Sequence, residues 1–247
     1  MTIVLVHGNP ETAAIWAPLR AQLGRDDVIA LSPPGFGAPV ADDFAATSDD
    51  YLAWLVGELE RIDGPVDLIG HDWGGGHVQR LAATRPDLIR SWCTDIAGCA
   101  DPEYVWHDMA QVWQTPGAGE EAVAGMAALP TDARTAAFVE IGMTEDAAQS
   151  CAAAVDDEMA RCILALYRSA AQPKMTEWGA ELAAAERRPG LVIIASEDHY
   201  TGGEVLARRS AERFGAHVAV LPGRGHWWML QDPAAGAKVL ADFFATL

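Results

Sequence analysis

Six short apolar runs, at residues 3–6, 28–31, 66–69, 92–96, 191–195 and 218–221, punctuate this chain and leave it few folds to adopt. Each is rich in β-branched residues or leucine and is bounded by Gly, Pro, Asp or Ser, the pattern of a strand buried on both faces. Helical patterns at 14–23, 49–62, 75–84, 203–214 and 233–246 separate or follow them. Strand–helix alternation of this kind predicts an α/β fold, a doubly wound and mostly parallel sheet of about six strands with right-handed crossovers.

The alternation breaks once. Residues 100–187 hold no convincing strand; they are Ala-rich, helical in pattern, and carry Trp106, Met109, Trp113, Met126 and Trp178. The segment follows the fourth strand, and open α/β sheets bind ligands at the carboxyl ends of their strands. It therefore reads as a helical cap over a core made of residues 1–99 and 188–247.

Charge narrows the partners. With 35 acidic and 17 basic residues the formal charge is −18, which repels phosphate backbones and anionic headgroups, so neither nucleic acid nor a membrane is expected as a partner. No apolar run nears the roughly 20 residues that span a bilayer. The first run lacks a preceding basic region and reads as a buried strand, not a signal peptide. Cys93, Cys99, Cys151 and Cys162 show neither a CxxC pair nor metal spacing; reduced thiols, a cytoplasmic location, and no metal or cofactor are expected. A homodimer is compatible with the sequence, which does not specify the oligomeric state.

The third run leads into Gly70-His71-Asp72-Trp73-Gly74-Gly75-Gly76 and then a helical pattern. Glycines at 70 and 74 let the backbone close sharply while residue 72 projects from the end of the sheet, the requirement of a nucleophile elbow. A carboxylate is ionised at neutral pH, so Asp72 can attack an sp³ carbon with no base to deprotonate it. The other reading of Asp72 is a helix cap.

On these residues the chain resembles the α/β-hydrolase superfamily over nearly its whole length, in the branch with aspartate as nucleophile: epoxide hydrolases, haloalkane dehalogenases and haloacetate dehalogenases. His7-Gly8-Asn9-Pro10 is similar to the superfamily's HGxP turn. The resemblance implies an oxyanion hole from the backbone N–H groups of Asn9 and Trp73. Most relatives place two further strands before this turn, so a smaller sheet is expected here. His226, in Gly223-Arg224-Gly225-His226-Trp227 after the last strand, matches the base that activates water against the ester. Two acids compete to orient it. Asp95 ends the fourth strand, 23 residues after Asp72, and is favoured; Asp198 lies one residue early in the G-x-x-D pattern after the penultimate strand.

The cap bears on the substrate. An opening epoxide needs donors that can protonate oxygen, whereas a departing halide needs N–H donors and no proton. Tyr167 resembles the second cap tyrosine of epoxide hydrolases, and His107, 60 residues earlier, completes a histidine–tyrosine pair similar to that of the Cif-type enzymes. Tyr104 is a weaker substitute for His107. Asn9 and Trp73 are also the residue types that haloalkane dehalogenases set against halide. Arginines that would clamp a haloacid are absent at Trp73 and Gly76. Trp106, Met109, Trp113 and Trp228 are expected to line an apolar pocket for a small neutral organic substrate. Epoxide opening is the leading expectation, haloalkane dehalogenation the second, and a non-catalytic ligand-binding member of the fold the third.

Overall fold

Every residue of β1 (Ile3–Val6) and β5 (Gly190–Ala195) is buried, and sequence neighbours enter opposite packing layers. Ile3, Leu5, Leu191 and Ile193 join one apolar cluster; Val4, Val6, Val192 and Ile194 join the other. A strand covered on both faces has no polar face to show, which is why these runs read as continuous. The computed structural model describes residues 1–247. It adds β2 (Val28–Leu31), β3 (Val66–Gly70), β4 (Ile89–Thr94) and β6 (His217–Leu221). The order is β2-β1-β3-β4-β5-β6, and all pairings are parallel.

β4 starts and ends earlier than the expected run at 92–96. Its start carries polar residues, which are accommodated because Arg90 Nε and Ser91 Oγ donate to the buried Asp67 of β3, at 2.8 and 2.6 Å. Asp95 and Ile96 therefore lie just beyond the strand.

The registers align the strand ends. Val6 pairs with both Leu31 and Gly70, Gly70 with Thr94, and Ala195 with Leu221. All the loops that follow thus leave from one edge. The chain passes from β1 to β2 on one side and then returns to β3 on the other. That reversal opens a crevice between the loops after β1 and β3, where ligands bind in such sheets.

The helices are α1 (Ala17–Leu23), α2 (Ser48–Leu59), α3 (Trp73–Thr84), α4 (Asp108–Gln114), α5 (Ala118–Ala128), α6 (Thr131–Glu140), α7 (Glu145–Ala154), α8 (Asp157–Ser169), α9 (Lys174–Ala184), α10 (Gly203–Phe214), α11 (Trp228–Gln231) and α12 (Pro233–Phe244). α8 shows how the insertion holds itself together. Asp156 caps its N-terminus by accepting from Met159 N at 2.8 Å. Met159, Cys162, Ile163, Leu166 and Tyr167 recur at helical spacing and form its buried face, which packs on α4, α5 and α2. α9 behaves differently: it packs against α3 and α10 and so flanks the sheet. No helix is long and apolar enough to cross a membrane.

Glycine positions make the strand-end geometry testable. A Cβ on Gly74 would lie 2.1 Å from the Val6 carbonyl oxygen, whereas one on Gly125, exposed in α5, meets nothing within 4 Å. Gly74→Ala is expected to destabilise by ~1–3 kcal/mol or more, and Gly125→Ala to stabilise by ~0.5–1 kcal/mol, both read from urea denaturation midpoints.

Candidate active site

β3 delivers its chain to Asp72 through a turn that only small neighbours permit. Asp72 sits at φ 50° and ψ −128°, a left-handed conformation that costs a non-glycine residue roughly 1–3 kcal/mol. A Cβ on Gly70 would meet the Gly74 carbonyl carbon at 2.4 Å, and one on Gly8 would meet Asp72 Oδ1 at 2.0 Å. The carboxylate occupies the space a side chain at residue 8 would take. There Oδ1 accepts from Asn9 N at 3.0 Å, and the Trp73 amide also bears on the carboxylate. The two backbone N–H groups expected to form an oxyanion hole converge on Asp72.

His226 faces this carboxylate. Its Nε2 lies 3.6 Å from Asp72 Oδ2, and its Nδ1 is 2.8 Å from Asp198 Oδ2. The turn after β5 is tied to the loop carrying His226: Ser196 N donates to Leu221 O, and Glu197 N donates to Arg224 O at 2.9 Å. Those backbone bonds bring Asp198 to the imidazole, while Asp198 Oδ1 accepts from Tyr200 N at 2.8 Å. Burial resists charge on His226, but Asp198 raises its pKa and Asp72 adds to the effect. Burial likewise pushes Asp72 above the usual carboxylate range, with His226 pulling it back.

The expectation that Asp95 orients His226 is corrected here. Asp95 turns beneath the elbow instead. Its Oδ1 accepts from Asp72 N at 3.1 Å, and its Oδ2 meets His71 Nδ1 at 2.5 Å and accepts from Trp228 Nε1 at 2.7 Å. Trp228 is likewise corrected. It is 1% exposed, lies edge-on to Trp16 and serves Asp95, and it takes no part in the cavity over Asp72; its neighbour Trp227 does.

Sequence reasoning missed Glu11, which is fully buried. Its Oε2 accepts from Gly8 N at 2.9 Å; its Oε1 accepts from Trp227 Nε1 at 2.5 Å and meets His71 Nε2 at 3.1 Å. Burial opposes charge on both Glu11 and His71, yet their mutual attraction lowers the carboxyl, and Asp95 with Glu11 raises the imidazole well above its ordinary range. His71 is therefore an imidazolium donating from both ring nitrogens. The signal was a carboxylate in the β1 turn together with a histidine directly before the nucleophile position. Glu11, His71 and His226 place candidate ligand atoms within 4.8 Å of one another. Both nitrogens of His71 and Nδ1 of His226 are already engaged by carboxylates, so the cluster is spent on hydrogen bonds and not arranged for a metal. Apart from His107, the remaining histidines are structural or peripheral, and His199 is exposed. His7 bonds Gly8 O and Ser32 Oγ, His77 stacks on Tyr51, and His217 lies exposed on β6.

A cavity of about 280 Å³ opens over Asp72, lined by Asn9, His107, Met109, Trp113, Tyr167 and His226 among others. Trp106 lies to the other side, stacked on Trp73 with ring centroids 5.8 Å apart. His107 caps α4, its Nδ1 accepting from Ala110 N at 3.2 Å. Burial lowers its pKa to about 4. The ring is thus neutral, and the N-cap bond leaves its proton on Nε2. Burial and the Asp72 charge push the Tyr167 phenol well up, with the Asn9 and Trp73 side chains acting the other way. Both polar atoms of the Asn9 side chain are buried without a partner. Tyr200, also missed, covers His226 at 5.0 Å and His107 at 5.2 Å between ring centroids. Tyr104 bonds Tyr200 O at 2.8 Å and is not a partner for Tyr167. The arrangement offers an ionisable carboxylate with two N–H groups on it, a histidine–carboxylate pair beside it, and neutral O–H and N–H donors across the cavity.

Known proteins resemble this chain. The model of the alpha/beta hydrolase family matches residues 3–239. A stretch of 90 residues is 32% identical to (E)-2-((N-methylformamido)methylene)succinate hydrolase of Acinetobacter baylyi, covering 36% of this chain and 34% of that protein. Over 92 residues the chain is 33% identical to a haloalkane dehalogenase of Bradyrhizobium diazoefficiens, covering 36% and 29%. The matched segments thus span about a third of each curated relative. Among solved structures, a loop variant of a haloalkane dehalogenase from Bradyrhizobium elkanii superposes with a TM-score of 0.74 at 19% identity, over 99% of this chain and 90% of that one. At that identity the likeness speaks for the fold.

Asp95→Ala leaves the Asp72 amide, His71 Nδ1 and the Trp228 indole N–H buried without their acceptor, while Glu11 still pairs with His71. Each orphaned buried donor costs ~1–3 kcal/mol, and a loss on that scale is expected in urea denaturation. An unchanged midpoint would mean that these bonds do not hold the elbow in place.

Proposed function

We propose that this chain, which belongs to the alpha/beta hydrolase family, opens epoxides to vicinal diols through an ester on Asp72. The observation that carries the reading is the pair of uncharged donors that line the same cavity as the carboxylate. His107 is fixed as an Nε2–H donor by its N-cap bond, and Tyr167 keeps its proton because burial raises its pKa. Oxygen leaving carbon needs such donors, and both line the cavity that holds Asp72.

In this scheme Asp72 Oδ2 bonds to an epoxide carbon, the carbon–oxygen bond breaks, and the oxygen takes its electron pair and a proton from Tyr167, with His107 bonding alongside. The helices α4–α8 act as the cap. Water then attacks the Asp72 carboxyl carbon and gives its proton to His226 Nε2, which Asp198 holds in place. The N–H groups of Asn9 and Trp73 bear the tetrahedral oxyanion. Collapse expels the diol oxygen, which takes the proton from His226; the proton left on the Asp72 carboxyl then returns to the Tyr167 phenolate, restoring all three groups. Esterification removes the negative charge that helps to raise the His226 pKa, so alkylation itself favours the neutral imidazole that hydrolysis requires.

A second reading rests on Asn9. Its buried, unpartnered amide beside Trp73 is a suitable seat for a leaving halide, and the dehalogenase likeness supports it. Attack and ester hydrolysis are then the same, with no proton delivered to the leaving group. The absence of arginine at Trp73 and Gly76 disfavours haloacids.

The two readings separate by intact-protein mass. His226→Gln is expected to alkylate but not to hydrolyse, so the ester persists. A gain equal to the whole epoxide, mapped to Asp72 and absent from Asp72→Asn, is the expected result. A gain equal to a haloalkane less its hydrogen halide would assign the second reading. No adduct from apolar epoxides or from haloalkanes would overturn both.

A further inference from the structure

Asp72 stands at the junction of two compartments of very different size. One is the cavity of about 280 Å³, whose outer walls are Met109, Trp113, Met126, Phe138 and Ile141. The other is a void of about 20 Å³ closed by Ile96, Cys99, Tyr104, Trp106, Met175 and Thr201. Asp72, His107, Tyr167 and Tyr200 line both. The smaller space admits about one water-sized group.

The two walls also differ in how far they can give. On the small side Trp106 is stacked on Trp73, and Tyr104 is held by its hydroxyl to Tyr200 O at 2.8 Å. Behind them, Gly98 is pressed so close to Thr201 that a Cβ would lie 2.2 Å from its carbonyl oxygen. A substituent pushed that way meets packed rings and backbone. The small side has one methionine, Met175, but it is packed and 3% exposed; on the large side two walls are methionines, the most adaptable apolar side chains, and Met109 and Ile141 are half exposed at the rim, at 48% and 47%.

We infer that the substrate carries its reacting carbon at the end of an apolar chain: a monosubstituted epoxide, or on the second reading a primary haloalkane. The inference rests on the reading that Asp72 is alkylated. With the leaving oxygen against Tyr167 and His107, the two substituents of the epoxide lie toward opposite compartments. One can be a chain running out past Met126. The other can be no larger than hydrogen or a methyl group.

Isomers of one composition test this without changing overall hydrophobicity. Turnover of 1,2-epoxyoctane, trans-2,3-epoxyoctane and trans-4,5-epoxyoctane is compared as kcat/KM. In parallel, 1-bromooctane and 4-bromooctane are compared by adduct formation on the His226→Gln variant. The terminal isomer is expected to exceed the 4,5-isomer by about 100-fold or more, the scale on which pockets reject misplaced carbon, with the 2,3-isomer between them. Met175→Ala and, separately, Ile96→Ala are expected to narrow that ratio by opening the small side. Turnover that is equal across isomers, or greatest for an internal one, overturns the inference and leaves the Asp72 chemistry standing. No turnover and no adduct from any of the five compounds removes both.

Discussion

The site depends on an imidazolium sealed between two carboxylates. His71 bonds Glu11 with one nitrogen and Asp95 with the other, and all three side chains are buried. Each belongs to a different segment: the turn after β1, the elbow and the residue just past β4. Trp227 and Trp228 extend the grip to the loop after β6 through their indole N–H groups. Such a network costs desolvation that only full pairing offsets, so its members cannot drift apart individually. Its pH limits follow from opposite shifts. The raised His71 pKa contributes stability below the ordinary imidazole range, lost as pH climbs through the folded value. The depressed Glu11 pKa contributes stability above the ordinary carboxylate range, lost as pH falls through its folded value. Between these limits, across neutral pH, the clamp is intact.

That clamp explains how a strained elbow persists. Asp95, held from three sides, accepts the backbone N–H of Asp72, while Gly8 and Gly74 let the β1 turn press against it. The sheet supplies the rest by topology. The order in which strands are added reverses between β1 and β3, which brings the Asn9 and Trp73 amides together on one carboxylate. β5 and β6 lie side by side, so the turn carrying Asp198 and the loop carrying His226 share backbone bonds. The helical insertion contributes only the far wall, through His107 and Tyr167.

Much of this architecture is legible in the sequence, for physical reasons. A strand buried on both faces must be apolar throughout, so the strands reveal themselves; an elbow needs small residues on both sides of its apex, so Asp72 does too. What fails is whatever depends on direction. Near a strand end one residue's difference turns a side chain to the other side of the sheet. Spacing could place Asp95 near His226 in number but not in direction. Trp228 was expected to line the pocket but Trp227 does, because successive residues entering α11 point to different sides. The polar start of β4 was hidden because Arg90 and Ser91 are paired to Asp67 on another strand. Glu11 escaped because its partners His71 and Trp227 come from segments that only the fold brings beside the β1 turn.

The central claim is that Asp72 forms an ester that water cleaves at the carboxyl carbon. It is tested most directly by a single turnover in ¹⁸O water with enzyme in excess, using whichever substrate class labels the His226→Gln variant. The account predicts that the first product is unlabelled, its new oxygen coming from Asp72, and that the peptide containing Asp72 gains the ¹⁸O. Label in the first product with none in Asp72 would show that water attacks the substrate directly and would contradict the account.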